Sequence, residues 1–313
     1  MKRRLFLVML IGLFPCIVFA GHLYAAERTY NVLFIQSYNH RTPWNDRLTE
    51  GVRDGLSRGG IKAKVTTEYL DADYWTFASE CVIMRRICER ARQKNTDIII
   101  TSSDEAFYTL MHCGDSLPYK LPVVISGIKY PNEKLISKLP NVCGYTSKID
   151  FVHLLENARR VFPNRTEVIC VSDSSLLGLK GVAELERIWP NFQELHPEYK
   201  MKVMNVQSQA PNPVISSICY NAYNRIVIAP KWTPFLSFIG KNSKAPVFAG
   251  QSLALTNGVF CVHDMEPYEG ANAAGKCAAQ VLQGAIPSVI GVVDLPGKLL
   301  YDFKQLEFFR VNA

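Results

Sequence analysis

Three stretches of the chain carry residue types that could do chemistry. Gly270-Ala271-Asn272-Ala273-Ala274-Gly275-Lys276-Cys277 matches a phosphate-binding P-loop except at its last position, where Cys277 stands in place of the Ser or Thr that would hold magnesium. Such a loop must turn between a strand and a helix. No strand pattern precedes it here, and the chain continues as Ala278-Ala279-Gln280-Val281-Leu282, so the stretch reads as a helix with a small-residue face. His112 beside Cys113, and His263 with Asp264 and Glu266, offer metal-ligand atoms without ligand spacing. Asp104 and Asp173 could oppose one another as the carboxylate pair of a sugar hydrolase. Each also stands where a strand gives way to a helix, the position of a helix cap or a ligand hydrogen bond. Ser102, Ser103, Ser174 and Ser175 lack the G-x-S-x-G setting of a hydrolase nucleophile. No catalytic constellation emerges, and neither an enzyme, a metal nor a cofactor is expected.

A second class of residue suits binding. Ser37, Tyr38 and Trp44 follow the apolar run Val32-Leu33-Phe34-Ile35, and Ser102, Ser103 and Asp104 follow Ile98-Ile99-Ile100. Ser126 ends Pro122-Val123-Val124-Ile125, Asp173 and Ser174 end Val168-Ile169-Cys170-Val171, Lys231 and Trp232 follow Ile226-Val227-Ile228-Ala229, and Gln251 follows Val247-Phe248-Ala249. Ligands of open α/β sheets bind beyond the carboxyl ends of the strands, so these twelve residues are the expected ligand-binding set. Tyr38, Trp44 and Trp232 favour a ligand with a planar or apolar part. Lys231 and the helix N-termini favour an anionic group such as a carboxylate or phosphate.

The elements that must position them alternate. Asn31 to Leu56 opens with a strand, passes a polar loop containing His40, Thr42 and Pro43, and becomes a helix whose stripe is Leu48, Val52 and Leu56. Strands follow at 63–70, 97–100, 122–127 and 143–146, with helices at 75–94 (inner side Val82, Ile83, Ile87 and Ala91) and 105–112. A second series adds helices at 151–161, 181–189 and 213–220 and strands at 167–171, 201–206, 225–229 and 246–249, the last read as the final core strand. The expected fold is α/β, with two Rossmann-like lobes of parallel sheet joined by a hinge.

At 313 residues and 48% hydrophobic, the chain is long enough for two such lobes. Lys2, Arg3 and Arg4 precede the apolar run Leu5 to Ala20, so residues 1–26 read as a signal peptide, with a retained N-terminal membrane anchor as the alternative. Phe14 and Pro15 before Cys16 speak against lipidation. Without residues 1–26 the net charge falls from +7 to +4, spread with no basic stripe, which excludes a nucleic-acid partner. Eight cysteines then remain. Several, such as Cys170 and Cys261, lie in apolar runs, so mostly free, buried thiols are expected.

Ile35-Gln36-Ser37-Tyr38 with Pro43-Trp44 and Glu50-Gly51-Val52 resembles the opening of periplasmic binding domains related to ABC-transporter substrate-binding proteins. Some bacterial sensor histidine kinases carry a similar domain outside the membrane. Pro122 to Gly127, Asn141-Val142-Cys143-Gly144, Pro246-Val247-Phe248, the late helix with Gly270, Gly275, Ala278 and Ala279, and a closing strand motif at Asp302 to Leu306 extend the resemblance over the mature chain. A glycine-rich stretch common in the family is replaced by Gly258 to His263. The resemblance implies a periplasmic binding protein of type I-like fold that closes on a small molecule. Its partner would be an inner-membrane histidine kinase, as the leading expectation, or an ABC permease. With the last motif near Ala313, it would act through a separate partner or a retained anchor. The expected lobes are 27–147 plus about 260–287, and 148–259 plus about 288–313 with the hinge crossover.

Overall fold

The computed structural model describes residues 28–39, 43–72, 77–206, 218, 222–231 and 234–311. The strands are β1 (Tyr30–Gln36), β2 (Ala63–Tyr69), β3 (Ile98–Ser102), β4 (Val123–Ile128), β5 (Val142–Thr146), β6 (Glu167–Ser172), β7 (Lys200–Asn205), β8 (Arg225–Ala229), β9 (Val247–Ala249), β10 (Cys261–Asp264), β11 (Val292–Asp294) and β12 (Lys298–Tyr301). The helices are α1 (Pro43–Arg58), α2 (Phe77–Gln93), α3 (Ser103–Cys113), α4 (Leu117–Lys120), α5 (Glu133–Ile136), α6 (Phe151–Val161), α7 (Leu176–Leu195), α8 (Pro234–Asn242), α9 (Pro267–Leu282), α10 (Pro287–Ile290) and α11 (Phe303–Phe309), with a 3-10 helix at Ser252–Asn257. Apart from Ile218, the expected helix at 213–220 lies outside the described residues, as do Cys16, Cys219 and Trp232.

The strands form two six-stranded sheets in the orders β11-β5-β4-β3-β1-β2 and β12-β10-β9-β8-β6-β7. Every pairing is parallel except β10 with β12. Central strands such as β3 are buried residue by residue, because helices cover both faces of a parallel sheet. Each sheet therefore has a core on either side. Phe34, Leu48, Val52 and Leu56 pack with the late helix on one face of the first sheet, and Met84, Ile87 and Phe107 pack on the other.

Four expectations are corrected. β10 joins the second sheet although 260–287 is expected in the first lobe, and β11 joins the first although 288–313 is expected in the second. The chain crosses between the sheets three times, at Thr146–Phe151, Asp264–Pro267 and Asp294–Lys298, so each sheet receives its edge strand from the far end of the sequence. Val247–Ala249 is consequently not the final core strand. Val82 is 45% exposed, while Glu80 and Met84 take the inner side of α2 with Ile87 and Ala91. Asp302 to Leu306 is not a strand: the Asp302 carboxylate accepts the N–H groups of Lys304 and Gln305 and caps α11. Five cysteines are free and buried as expected, but Cys81 and Cys113 form a disulfide that ties α2 to α3.

The P-loop-like stretch lies in α9, and its small residues serve packing. A Cβ on Gly55 would stand 2.3 Å from the Asn272 carbonyl oxygen and 2.8 Å from the Gly275 Cα, so α1 and α9 touch backbone to backbone. A Cβ on Gly270 would meet only the flexible side chain of Met265, at 2.8 Å from its sulfur. Gly55→Ala is therefore expected to lower stability by about 1–3 kcal/mol through overpacking. Gly270→Ala should be close to neutral, as helix propensity favours alanine by about 1 kcal/mol. Urea unfolding midpoints of the two variants check this contrast.

Candidate functional site

Those expected binding residues that the structure describes, all but Trp232, lie where the two sheets present their strand ends to one another. Ser37 is fully buried, donating its hydroxyl to the Ser102 carbonyl at 2.7 Å and accepting the Ala106 N–H at 2.9 Å. It fixes the end of β1 to α3, a structural role. Tyr38 links the lobes: its hydroxyl lies 3.2 Å from the Glu105 carboxylate and receives Gln251 Nε2 at 2.9 Å. Trp44 does likewise, donating its indole N–H to Ser252 Oγ at 3.0 Å with its ring 5.8 Å from that of Tyr38. Ser102, Ser103, Ser126 and Gln251 border a small space of about 40 Å³ beside these two aromatics.

On the other side of the Tyr38–Glu105 contact, the lobes enclose a cavity of about 340 Å³. The first lobe supplies Phe77, Glu80, Asp104, Glu105 and Tyr108; the second supplies Ser174, Ser175 and Lys231. Lys231 Nζ stands 4.0 Å from Glu105, 3.9 Å from Asp173 and 3.3 Å from Ser175 Oγ. It thus stands between two acids. Neither Asp104 nor Asp173 caps the helix that follows it. Asp104 reaches across to the N–H groups of Lys129 (2.8 Å) and Tyr130 (3.0 Å). Asp173 receives the Ser175 N–H at 3.0 Å, and Ser175 itself caps α7.

The β3–α3 junction is bent into this site by force. Ser103, the first residue of α3, has φ +69°, a left-handed conformation that a non-glycine residue holds only where its surroundings dictate it.

The metal candidates separate. Cys113 is in the disulfide, and the His112 ring packs on Phe77 at 5.3 Å. Asp264 turns from His263 to pair with Lys129, buried on both sides. His263 instead comes within 4.8 Å of Asp150 and His153 through their ligand atoms. Asp150 is already engaged there: its carboxylate accepts the His153 N–H, and its own N–H points at His263 Nδ1, 3.3 Å away.

Four site residues escape a reading of strand ends: Glu80, Glu105, Lys129 and Asp264. Glu80 had a signal, since it lies four residues before Met84 and eight before Cys88 on the buried stripe of α2. Glu105 reads as a first-turn acid favoured by the helix dipole, which hides its burial.

Burial raises all three carboxyls that line the cavity. Asp104, wholly enclosed and beside the charge of Glu105, rises to about 7 despite its two backbone N–H donors. Glu105 rises for the same reason, partly offset by Lys231, and Glu80 rises by burial and the charge of Glu105. A carboxyl raised on folding makes the native state bind more protons than the unfolded chain. Its contribution is complete below the ordinary carboxylate range and is lost as pH climbs through about 7. The wild type should therefore lose stability between about pH 4 and pH 7, and Asp104→Asn should lose less over that interval. Urea unfolding across the window measures the difference in slope.

The fold has known counterparts. The domain in complex with L-Trp from Streptococcus pneumonia is 17% identical with TM-score 0.71, the alignment covering 90% of this chain and 95% of that one. A conserved domain protein from Vibrio cholerae is 17% identical with TM-score 0.70, covering 91% and 96%. A ligand-free, open substrate-binding protein with adhesive properties from Clostridium difficile is 15% identical with TM-score 0.66, covering 91% and 96%. Among curated proteins nothing matches the sequence. These likenesses show the fold, a type I periplasmic binding architecture. A family model described as ABC transporter substrate binding protein matches residues 37–301, and the chain belongs to that family.

Proposed function

We propose that the chain is an exported binding protein that closes its two lobes on one small organic molecule and shows the closed form to a membrane partner. The observation that carries this is the cavity of about 340 Å³ walled by both lobes, with Tyr38–Gln251, Trp44–Ser252 and Lys231–Glu105 spanning the cleft beside it. A space of that size suits a ligand of amino-acid or nucleoside scale. Proteins of similar fold hold L-Trp, 5-methylthioribose and isoleucine. Members of the family are typically extracytoplasmic, which supports export by residues 1–26. Among the described residues no helix is long and apolar enough to cross a membrane. In this reading Tyr38, Asp104, Ser174 and Lys231 meet the ligand or set the closure around it, Trp44 and Gln251 latch the lobes, and Ser102, Ser103 and Ser126 shape the floor.

The family match favours an ABC permease as the partner. A sensor histidine kinase is the second reading, favoured by the sequence likeness at Ser37-Tyr38 with Pro43-Trp44. Closure is the signal in both, because a partner can read occupancy only through a form that the ligand stabilises. Deleting the gene and measuring both ligand uptake and the transcriptional response separates them: lost uptake is the expected result, and a lost response with intact uptake selects the kinase.

Lys231→Met tests the site itself. It leaves Glu105 and Asp173 without their cation in the closed cleft, so closure should weaken. With the small molecule that co-purifies from the envelope fraction as probe, calorimetry is expected to show affinity falling by about tenfold or more, equivalent to about 1.4 kcal/mol. Unchanged affinity would remove Lys231 from the site.

A further inference from the structure

The charge of the interlobe cavity is out of balance. Glu80, Asp104 and Glu105 line it, and Lys231 is the cation among the described residues that do so. Lys231 is already shared between Glu105 and Asp173. Glu80 is only 8% exposed, and one of its oxygens accepts the Thr109 hydroxyl at 3.2 Å. No partner for its other oxygen is found among the described residues. Buried carboxylates without cations are strongly disfavoured, and they relax either by holding protons or by receiving a positive charge. Their raised proton affinities reflect the first solution. A ligand can supply the second.

The cavity continues outward. Phe77, Tyr108 and Leu177 are shared with a larger open groove of about 820 Å³ that also contains Tyr119, His112 and Tyr130. Phe77 and Tyr119 are 51% and 54% exposed and present ring surface to the groove. The Tyr130 hydroxyl, buried in the groove wall, has no hydrogen-bond partner among the described residues. An acidic inner chamber thus opens into an aromatic outer one.

Taking the cleft as the ligand site, as the preceding reading does, we propose that the ligand is an organic amine. Its protonated nitrogen enters the inner cavity against Glu80, Asp104 and Glu105, and a flat apolar body rests against Phe77, Tyr108 and Tyr119. Aromatic faces add to the attraction for a cation placed near them. A carboxylate carried beside the nitrogen has no uncommitted cation to meet in the inner chamber. It can be tolerated only at the far end of the ligand, toward Lys180 at the groove.

Paired probes test this on the purified mature chain. Tryptamine is compared with indole-3-propionate, phenethylamine with 3-phenylpropionate, and spermidine and L-tryptophan are added as an amine without a ring and a zwitterion. Thermal unfolding is followed for each, and native mass spectrometry identifies whatever co-purifies. The expected result is a rise in unfolding temperature with amine members only, or recovery of an amine-bearing molecule. Stabilisation by the carboxylates, or recovery of an anionic or neutral ligand, overturns the amine assignment while leaving the binding reading intact. No stabilisation by any probe together with no recovered molecule overturns both. Glu80→Gln supplies the second arm. It keeps the side chain's shape, removes a buried acid and should make the free protein melt higher, while affinity for the stabilising amine or the recovered ligand drops by about tenfold or more. A higher melting temperature with undiminished affinity overturns the role given to Glu80 and the amine assignment with it.

Discussion

The relation between the lobes depends on a buried ion pair at the hinge. Lys129 Nζ, from the loop after β4, meets Asp264 Oδ1, at the end of β10, and donates to Ser147 Oγ at 3.3 Å. The remaining capacity of Asp264 is filled by the N–H groups of Ser252 (2.7 Å) and Met265 (2.8 Å). A buried pair is stable only when its leftover donors and acceptors are met, and here they are. Breaking one is costly because the surviving charge stays buried. The pair therefore behaves as a pin beside two of the three crossovers. The contacts at the mouth are of another kind: Tyr38 with Gln251 and Trp44 with Ser252 are single hydrogen bonds between uncharged groups, each worth about 1 kcal/mol net. In the proposed function, a firm pin with weak latches would let a ligand of ordinary affinity decide whether the cleft is open.

Each lobe has to be rigid for that to work, and the rigidity comes from the sheets' two-sided cores. The first lobe adds the contact of α1 with α9, where Gly51 and Gly55 face Ala271 and Gly275. That contact joins the start of the chain to a segment more than two hundred residues later, so the lobe is complete only after the chain has built the second lobe and returned. The small residues that mimic a nucleotide-binding loop exist because two helix backbones must approach, and at Gly51, Gly55 and Gly275 the crossing leaves no room even for a Cβ.

The alternation of strand and helix was legible, because apolar runs of parallel strands and four-residue stripes such as Leu48, Val52 and Leu56 are local signals. The crossovers were not. Nothing in Cys261-Val262-His263-Asp264 or in Val292-Val293-Asp294 says which of two similar sheets each will join; only the tertiary fit decides it. Local pattern also failed where a cap and a strand end look alike. Asp302 caps a helix in a stretch that resembles a strand motif, whereas Asp104, placed like a cap, spends both oxygens on the β4–α5 loop. In the site, strand ends pointed to the right region but not to Glu80, which reaches the cavity from the middle of a helix face, nor to the long-range partners of Ser37 that consume its hydroxyl.

The β3–α3 junction gathers features that each destabilise the folded chain: a left-handed serine at 103, a wholly buried aspartate at 104 and a buried glutamate at 105. A strained backbone residue of this kind costs about 1–3 kcal/mol, and the two acids oppose one another besides. The Ser37 hydroxyl, the Asp104 bonds to Lys129 and Tyr130, and the Cys81–Cys113 bridge at the far end of α3 hold the helix against those penalties. A core under no functional demand would replace such acids with apolar side chains of similar volume. In the proposed reading, their concentration at one junction facing the interlobe cavity places the ligand's polar end at the N-terminus of α3. It also explains why the helix is anchored at both of its ends while the residues opposite it, Ser174 and Ser175, sit at a comparatively simple cap.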